Sequence, residues 1–284
     1  MPPEPFQFHL LRCAYGVAIL LFILTVVFRR TRWGLAWYLR PQEEEGTQIG
    51  KRRRWMDAVL LAGLVLMAGF PYLGSYQAAP LPAAAAAEPV ITVPHIAAAS
   101  MLQLMAAVCL VLYLRLVRGV NPASALGLGR LSLGKVLAGG FVTLLVVVVT
   151  AQAVNWAFYQ WLVGMPPPED TDQQLVQLFK TADQGSLRIA IVLMCVVVAP
   201  LTEELLYRGF VFGIARDWAG SWPAAAFSAA VFSLAHQNLM AALPLFVLGL
   251  GFALSYQRSR CLWVPMLAHA LFNAGNLAAL AWGS

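Results

Sequence analysis

The run APLTEELLYRGF places two adjacent glutamates and an arginine in an otherwise apolar part of the chain. Glu204 and Arg208 are four residues apart, which is the spacing of an ion pair along one face of a helix. Glu203 points about 100° away from Glu204 on an ideal α-helix. The pattern therefore predicts a division of roles, in which Arg208 braces Glu204 as a structural support and Glu203 is free to face a substrate.

Two of the four histidines follow this run in further apolar segments. His236 lies in FSLAHQN, and His269 precedes Asn273 by four residues in HALFNAGN, so His269 and Asn273 share one helix face. Ionisable residues within membrane segments are costly and usually functional. Carboxylate, imidazole and amide groups gathered in one part of such a chain indicate a catalytic or binding site.

These residue types suit hydrolysis by an activated water. A glutamate can act as the general base that takes a proton from water. Asn273 and His269 can donate hydrogen bonds to the oxyanion that forms on the substrate. Ser233 lies beside His236 on the same helix, but the sequence shows no acid-supported Ser–His set, so a covalent serine mechanism is disfavoured.

A catalytic zinc site is the alternative mechanism. Glu203, His236 and His269 form a His₂Glu ligand set that would leave a fourth position for water. These residues come from three separate segments, without the local His-Glu-x-x-His spacing. The preferred prediction is therefore a glutamate mechanism without a cofactor, and the sequence leaves zinc open.

Composition indicates which elements must position these residues. The 284 residues are 60% hydrophobic and 11% charged, whereas a soluble domain is about a quarter charged. The apolar residues form runs of the length that a bilayer requires. We therefore expect an all-α, polytopic transmembrane bundle of about eight spans, at 9–28, 56–76, 94–116, 134–161, 187–208, 222–238, 241–257 and 261–282. The fifth helix is expected to continue to about residue 217.

Loop charge predicts the orientation of these spans. Residues 29–55 contain eight Lys or Arg, and residues 77–93 contain none. The basic loops should face the cytoplasm, and the net charge of +6 is explained by these loops without a nucleic-acid partner. The expected partner is membrane lipid, and the expected location is a bacterial-type inner membrane. The segment 162–186 is Pro-rich and acidic, and predicts an exposed loop.

Helix lengths bring the candidate residues together. Gly220 and Pro223 predict a turn between the fifth and sixth helices. At a rise of 1.5 Å per residue, Glu203 and His236 both lie about 20–25 Å from that turn on antiparallel helices. The face that carries His269 reaches a comparable depth.

Three short motifs resemble those of the CPBP family, the CAAX proteases and bacteriocin-processing enzymes, also called the Abi family. They are Glu203-Glu204-Leu-Leu-Tyr-Arg208, Phe232-Ser-Leu-Ala-His236 and His269-Ala-Leu-Phe-Asn273. Pro200 and Gly209 also fit the family pattern. The resemblance covers about residues 187–282, and it implies a protease core of four spans in residues 187–284 after four N-terminal spans in residues 1–186.

The resemblance implies an intramembrane endopeptidase whose expected partner is a membrane-associated protein or peptide substrate. Glu203 would activate the water and His236 would help to hold it, while His269 and Asn273 would stabilise the oxyanion. Some family members act as scaffolds or regulators without demonstrated activity, so a catalytically silent scaffold is the rival hypothesis. A transporter is disfavoured, because no paired Gly- or Pro-broken helices occur in two related halves of the chain.

Overall fold

The computed structural model describes residues 57, 59–64, 91–163, 174–238 and 241–283. All regular elements in these ranges are helices, which confirms the all-α prediction for this part of the chain. The predicted span 9–28 and most of the predicted span 56–76 lie outside the described residues. Residues 57 and 59–64 of the latter are helical.

Long and short helices alternate in the first described part of the chain. Helix α1 spans Val93–Leu112 and continues as a π-helical turn, Tyr113–Val117. Its N-terminus is capped by Thr92, whose hydroxyl lies 2.8 Å from His95 Nδ1. The following elements are α2, Pro122–Ala125, then α3, Leu133–Ala157 with a π-helical end at Phe158–Val163, and then α4, Gln174–Thr181.

The second group of helices contains all the candidate residues. Helix α5 is continuous over Gly185–Ala219 and is called the motif helix below. It is followed by α6, Ser221–Ala235, by α7, Ala242–Ser259, and by α8, Trp263–Gly283. The predicted turn after the fifth helix is confirmed at Gly220, whose φ of +86° is a conformation that a residue without Cβ adopts freely.

Six predicted spans fall within the described residues, and each one is a helix there. Four helices of the described part are long and apolar enough to cross a membrane, namely Val93–Val117, Leu133–Gln160, Gly185–Ala219 and Trp263–Trp282. Ser221–Ala235 is apolar but shorter. The structure therefore supports a membrane protein, and the count of eight spans stays a prediction.

The expectation of a simple loop over 162–186 was wrong for α4. Leu175, Leu178 and Phe179 recur at helical spacing and pack against the start of the motif helix, including Leu187 and Ile191. Burial of this apolar face stabilises a helix that the surrounding polar and Pro-rich sequence concealed.

The motif helix packs mainly against α1, α6 and α8, with further contacts to α4 and α7. Helix α6 also packs closely along α7, and α3 packs against α7 and α8. Small side chains on α6, such as Ala225 and Ala229, allow this close approach. The contacts of α3 with α7 and α8 join the predicted N-terminal part, residues 1–186, to the predicted protease core, residues 187–284. The division between these two parts stays a prediction.

Candidate active site

Pro200 shapes the motif helix just before the two glutamates. A proline inside a helix has no N–H to donate, and its ring crowds the preceding turn. The turn before it, Met194–Val198, is widened into a π-helix, in which the Ala199 amide donates to the carbonyl of Met194. In this pattern the carbonyl of Cys195 would need the amide of residue 200, which proline lacks.

Asn273 of α8 occupies the position created by that missing donor. Its Nδ2 donates to the Cys195 carbonyl at 2.8 Å. An amide nitrogen carries two hydrogens, so this bond fixes the side chain and leaves the second hydrogen to donate elsewhere. The backbone distortion at Pro200 thus positions Asn273, which lies 78 residues further along the chain.

The predicted ion pair between Glu204 and Arg208 is present. Arg208 Nη1 donates to Glu204 Oε1 at 2.8 Å, and both side chains are fully buried. The second guanidinium nitrogen, Nη2, donates to the carbonyl of Gly249 on α7 at 3.0 Å. The guanidinium carbon lies 4.6 Å from the ring centre of Phe232 and 5.2 Å from that of Phe252. A desolvated cation is stabilised by such aromatic faces and by its carboxylate.

Glu204 also connects this ion pair to His269. The same oxygen, Oε1, lies 3.0 Å from His269 Nδ1. The imidazole ring stacks on Phe252 with a centroid distance of 5.2 Å, and it is almost fully buried. Glu204 therefore does more than the sequence predicted, because it holds Arg208 on one side and orients His269 on the other.

Glu203 faces both histidines. Its Oε2 lies 3.9 Å from His236 Nε2 and 4.0 Å from His269 Nε2. Both distances exceed that of a direct hydrogen bond. Glu203 is partly accessible, with 23% of its side chain exposed, whereas Glu204 is sealed. The two side chains thus differ in exposure, but the Glu203 oxygen that faces the histidines, Oε2, is itself buried and has no hydrogen-bond partner among the described residues.

His236 lies at a helix end and not within a span. Helix α6 ends at Ala235, and His236 is its C-terminal cap, so the predicted span 222–238 was too long. His236 Nδ1 lies 2.7 Å from the carbonyl of Phe232, which is one of the unpaired carbonyls that a helix end provides. Gln237 follows with a φ of +51°, which turns the chain toward α7.

The sequence interpretation missed several groups that support the site. Phe252 and the carbonyls of Gly249 and Cys195 lie in apolar helices whose pattern carries no sign of a polar role. Thr202, next to Glu203, lies 3.1 Å from Gln103 Oε1 of α1. A glutamine within an apolar span was one available signal, since such residues commonly bond between helices.

The geometry also bears on the predicted zinc ligands Glu203, His236 and His269. Zinc bonds of about 2.0–2.2 Å in a tetrahedral site place ligand atoms about 3.3 Å apart, so the 3.9 and 4.0 Å separations are wider. No group of three His, Cys, Asp or Glu among the described residues is arranged to hold a metal ion. The donor types suit zinc, but their spacing would have to contract.

Comparisons with known proteins agree with the three motifs. Residues 185–275 match the family described as "Type II CAAX prenyl endopeptidase Rce1-like". A Bacillus subtilis (strain 168) protein described as "Putative membrane peptidase YdiL" is 25% identical over 170 residues, which are 58% of this chain and 65% of that protein. The chain thus spans less than two thirds of that relative. No solved structure matches.

Residues 185–275 are thus similar to CAAX prenyl endopeptidases, in agreement with the resemblance of the three motifs to the CPBP family. The family match covers Glu203, His236, His269 and Asn273, and the structure brings these four CPBP motif residues to one end of α6 and the facing sides of α5 and α8. Their catalytic roles stay predictions.

Proposed function

We propose that this chain is an intramembrane endopeptidase that hydrolyses a peptide bond with a water activated by Glu203. The observation that carries the proposal is the approach of two imidazole Nε2 atoms to the same oxygen of Glu203, at 3.9 and 4.0 Å. A fixed amide donor, Asn273, lies on the same helix as His269. A purely structural polar cluster would not leave a buried carboxylate oxygen, Glu203 Oε2, without a hydrogen-bond partner at its centre.

The residues support a stepwise hydrolysis. A water held between Glu203 Oε2 and His236 Nε2 would lose a proton to Glu203 as its oxygen attacks the scissile carbonyl carbon. Each gap of about 4 Å is wide enough that a bridging water, and not a direct bond, would connect the two groups. The second amide hydrogen of Asn273 would donate to the oxyanion, since its first hydrogen is held by Cys195.

The proposed mechanism uses no metal, and the zinc alternative makes a different forecast. Purified zinc-dependent enzyme should contain about one zinc per chain, and a strong chelator should abolish an activity that added zinc restores. Full activity in metal-free protein, established by elemental analysis, would exclude the zinc mechanism. Loss and zinc-specific recovery of activity would replace the glutamate mechanism.

The substrate class is proposed as membrane-associated protein or peptide. The matching family is described as CAAX prenyl endopeptidases, so a prenylated peptide ending in a CAAX sequence is the first probe. A matched peptide without the prenyl group and a peptide with a transmembrane segment test whether prenylation matters.

The Glu203→Gln variant tests the function. Glutamine keeps the size of the side chain but cannot accept the proton from water, so cleavage should fall by at least about 10²-fold. Quenched-fluorescent versions of the three peptides, with protein in lipid nanodiscs, give the rate. Thermal melting should match that of the wild type, because Glu203 is partly exposed and makes no direct hydrogen bond in the described structure.

The Asp183→Asn variant is the matched control, since it makes the same carboxylate-to-amide change at an exposed loop residue. It should cleave like the wild type. Wild-type rates in Glu203→Gln would eliminate the proposed mechanism. A wild-type protein that binds these peptides in the membrane but cleaves none of them would favour the scaffold hypothesis.

We also propose eight spans with the basic loop 29–55 in the cytoplasm of a bacterial-type cell, on the evidence of loop charge. The variants Gln48→Cys and Ala84→Cys, in a background without the four native cysteines, test this orientation in intact cells. A membrane-impermeant maleimide should label position 84 and not position 48. Labelling of position 48 from outside would reverse the orientation.

A further inference from the structure

The two histidines that face Glu203 are held from behind by chemically different groups. His236 Nδ1 is bonded to a neutral backbone carbonyl, that of Phe232, at 2.7 Å. His269 Nδ1 is bonded to the Glu204 carboxylate at 3.0 Å. Their other ring nitrogens, both Nε2, lie at almost equal distances from Glu203 Oε2. The two rings therefore differ in the group that contacts Nδ1, and not in the distance from Nε2 to Glu203.

These partners determine which nitrogen of each neutral ring carries the hydrogen. A backbone carbonyl can only accept, and Glu204 Oε1 already accepts from Arg208 at 2.8 Å. Each Nδ1 is therefore the donor, and each neutral ring presents the Nε2 lone pair toward Glu203. His269 in this form has no hydrogen on Nε2 and must gain a proton before it can donate to a substrate.

His269 is the ring that is built to hold that additional proton. A carboxylate behind an imidazole stabilises the imidazolium that forms in front, whereas the Phe232 carbonyl behind His236 offers only a dipole. The ring of His269 also stacks on Phe252 at 5.2 Å, and an aromatic face attracts a cation.

We propose that His269 carries the proton that Glu203 takes from water to the nitrogen of the departing amine. This inference rests on the proposed endopeptidase function and names a second step of the same reaction. When water attacks, a C–O bond forms and one water proton moves to Glu203 Oε2, then to His269 Nε2. When the intermediate collapses, the C–N bond breaks, the nitrogen takes that proton, and the second water proton remains on the new carboxyl group before it is released.

Glu204 is a positioning residue in this scheme. It touches neither water nor substrate, since it is fully buried, and it acts by fixing the tautomer and orientation of His269. The two rival roles for His269 are a pure oxyanion donor and a structural ring, and both are separated from proton delivery by the experiment below.

The test compares two substrates that differ only in the group bonded to the scissile carbonyl carbon, which is NH in one and sulfur in the other. The first is a peptide that the wild type cleaves, and the second carries sulfur in place of the scissile NH, so the leaving group is a thiolate. A thiolate departs without a proton, because thiols ionise near neutral pH, whereas an amine must be protonated as it leaves. The variant is His269→Gln, which keeps an N–H donor of similar reach but cannot carry a proton.

The expected result is a selective loss. His269→Gln should lose at least about 10²-fold in kcat on the peptide and less than about 3-fold on the thioester, after spontaneous thioester hydrolysis is subtracted. Asn273→Ala is the comparison variant, because loss of an oxyanion donor should cost about 10²–10³-fold on both substrates. Equal losses of His269→Gln on the two substrates would overturn proton delivery while leaving the endopeptidase function intact. Failure of the wild type to hydrolyse either substrate would remove the proposed function and this inference with it.

The tautomer of His269 can be measured in the wild-type protein, so the proposal remains testable if the His269→Gln variant does not fold. Protein labelled with ¹⁵N-histidine should show, by long-range ¹H–¹⁵N correlation, a neutral His269 with its hydrogen on Nδ1. Observation of the hydrogen on Nε2 would contradict the proposal, since that ring could not accept the proton from Glu203.

Discussion

Two arginines are buried in the described part of the chain, and they lie in regions with different roles. Arg208 is 0% exposed and Arg118 is 3% exposed. Arg208 is paired with a glutamate four residues earlier on the same helix, whereas Arg118, just after α1, is paired with Asp57 at 3.0 Å. The first pair forms as its helix forms, and the second can form only when two distant segments have come together.

The surroundings of the two pairs show the consequence of this difference. Glu204 contacts both Arg208 and His269, so the first pair lies directly behind the His269 ring in the candidate active site. Asp57 accepts a second bond from Tyr113 at 2.9 Å, and the Tyr113 ring meets Phe210 of the motif helix edge-on at 5.7 Å. The second pair thus connects residue 57 to the motif helix through packing. Similar burial of similar charges supports chemistry in one region and the docking of a segment in the other.

Replacement of Arg208 should have the largest effect. Arg208→Ala leaves Glu204 charged in a buried position, which typically costs about 3–5 kcal/mol, and it frees Glu204 from the geometry that orients His269. Both the folded yield in detergent and the cleavage rate of the remaining folded protein should fall. Arg130→Ala, at an exposed position between α2 and α3, is the matched control and should keep both. A normal melting temperature for Arg208→Ala would refute the buried ion-pair argument.

Disruption of the second pair should reduce stability and leave the chemistry in place. Asp57→Asn and Arg118→Met should each lower the free energy of unfolding by about 3 kcal/mol, because each leaves one buried charge without its partner. The double variant should be destabilised by less than the sum of the two, because it removes both charges. Melting temperatures of all three variants measure this coupling. Cleavage per folded molecule should stay within about 3-fold of the wild type, and a loss approaching that of Arg208→Ala would show that the two regions do not differ as described.

A smaller change tests the backbone partner of Arg208. A Cβ added at Gly249 would lie 3.0 Å from Ala229 Cα and 3.1 Å from Phe232 Cδ1, so Gly249→Ala should push α7 away from α6 and cost about 1–3 kcal/mol. Cleavage should fall modestly, because the Gly249 carbonyl would move from Arg208 Nη2. Gly275→Ala on α8 meets nothing within 4 Å and should melt like the wild type. Equal melting temperatures for the two alanine variants would contradict the close approach.

Predictions from the sequence were most accurate where the information was local. Apolar runs predicted α1, α3 and the motif helix closely, and a four-residue spacing predicted the contact of Glu204 with Arg208. Prediction was weaker where a helix depends on its neighbours, as for α4, whose apolar face is stabilised by burial against the motif helix. The end of α6 at Ala235 was also missed, although the polar residues His236, Gln237 and Asn238 follow it directly.

The sequence by itself therefore determined the membrane-protein class, the helices and the candidate residues Glu203, His236, His269 and Asn273. These follow from composition and from periodicities of a few residues, which act through neighbours along the chain. Pro200 also belongs here in part, since the missing amide that disturbs its helix is a property of the residue itself.

Tertiary structure alone decided how those residues are connected. It assigned Asn273 to the Cys195 carbonyl, His269 to Glu204, and Asp57 to Arg118. It also turned one ring nitrogen of each histidine toward Glu203 and the other away. These contacts join residues 61 to 78 positions apart in the chain, and they depend on how whole helices pack and rotate, which no local pattern specifies.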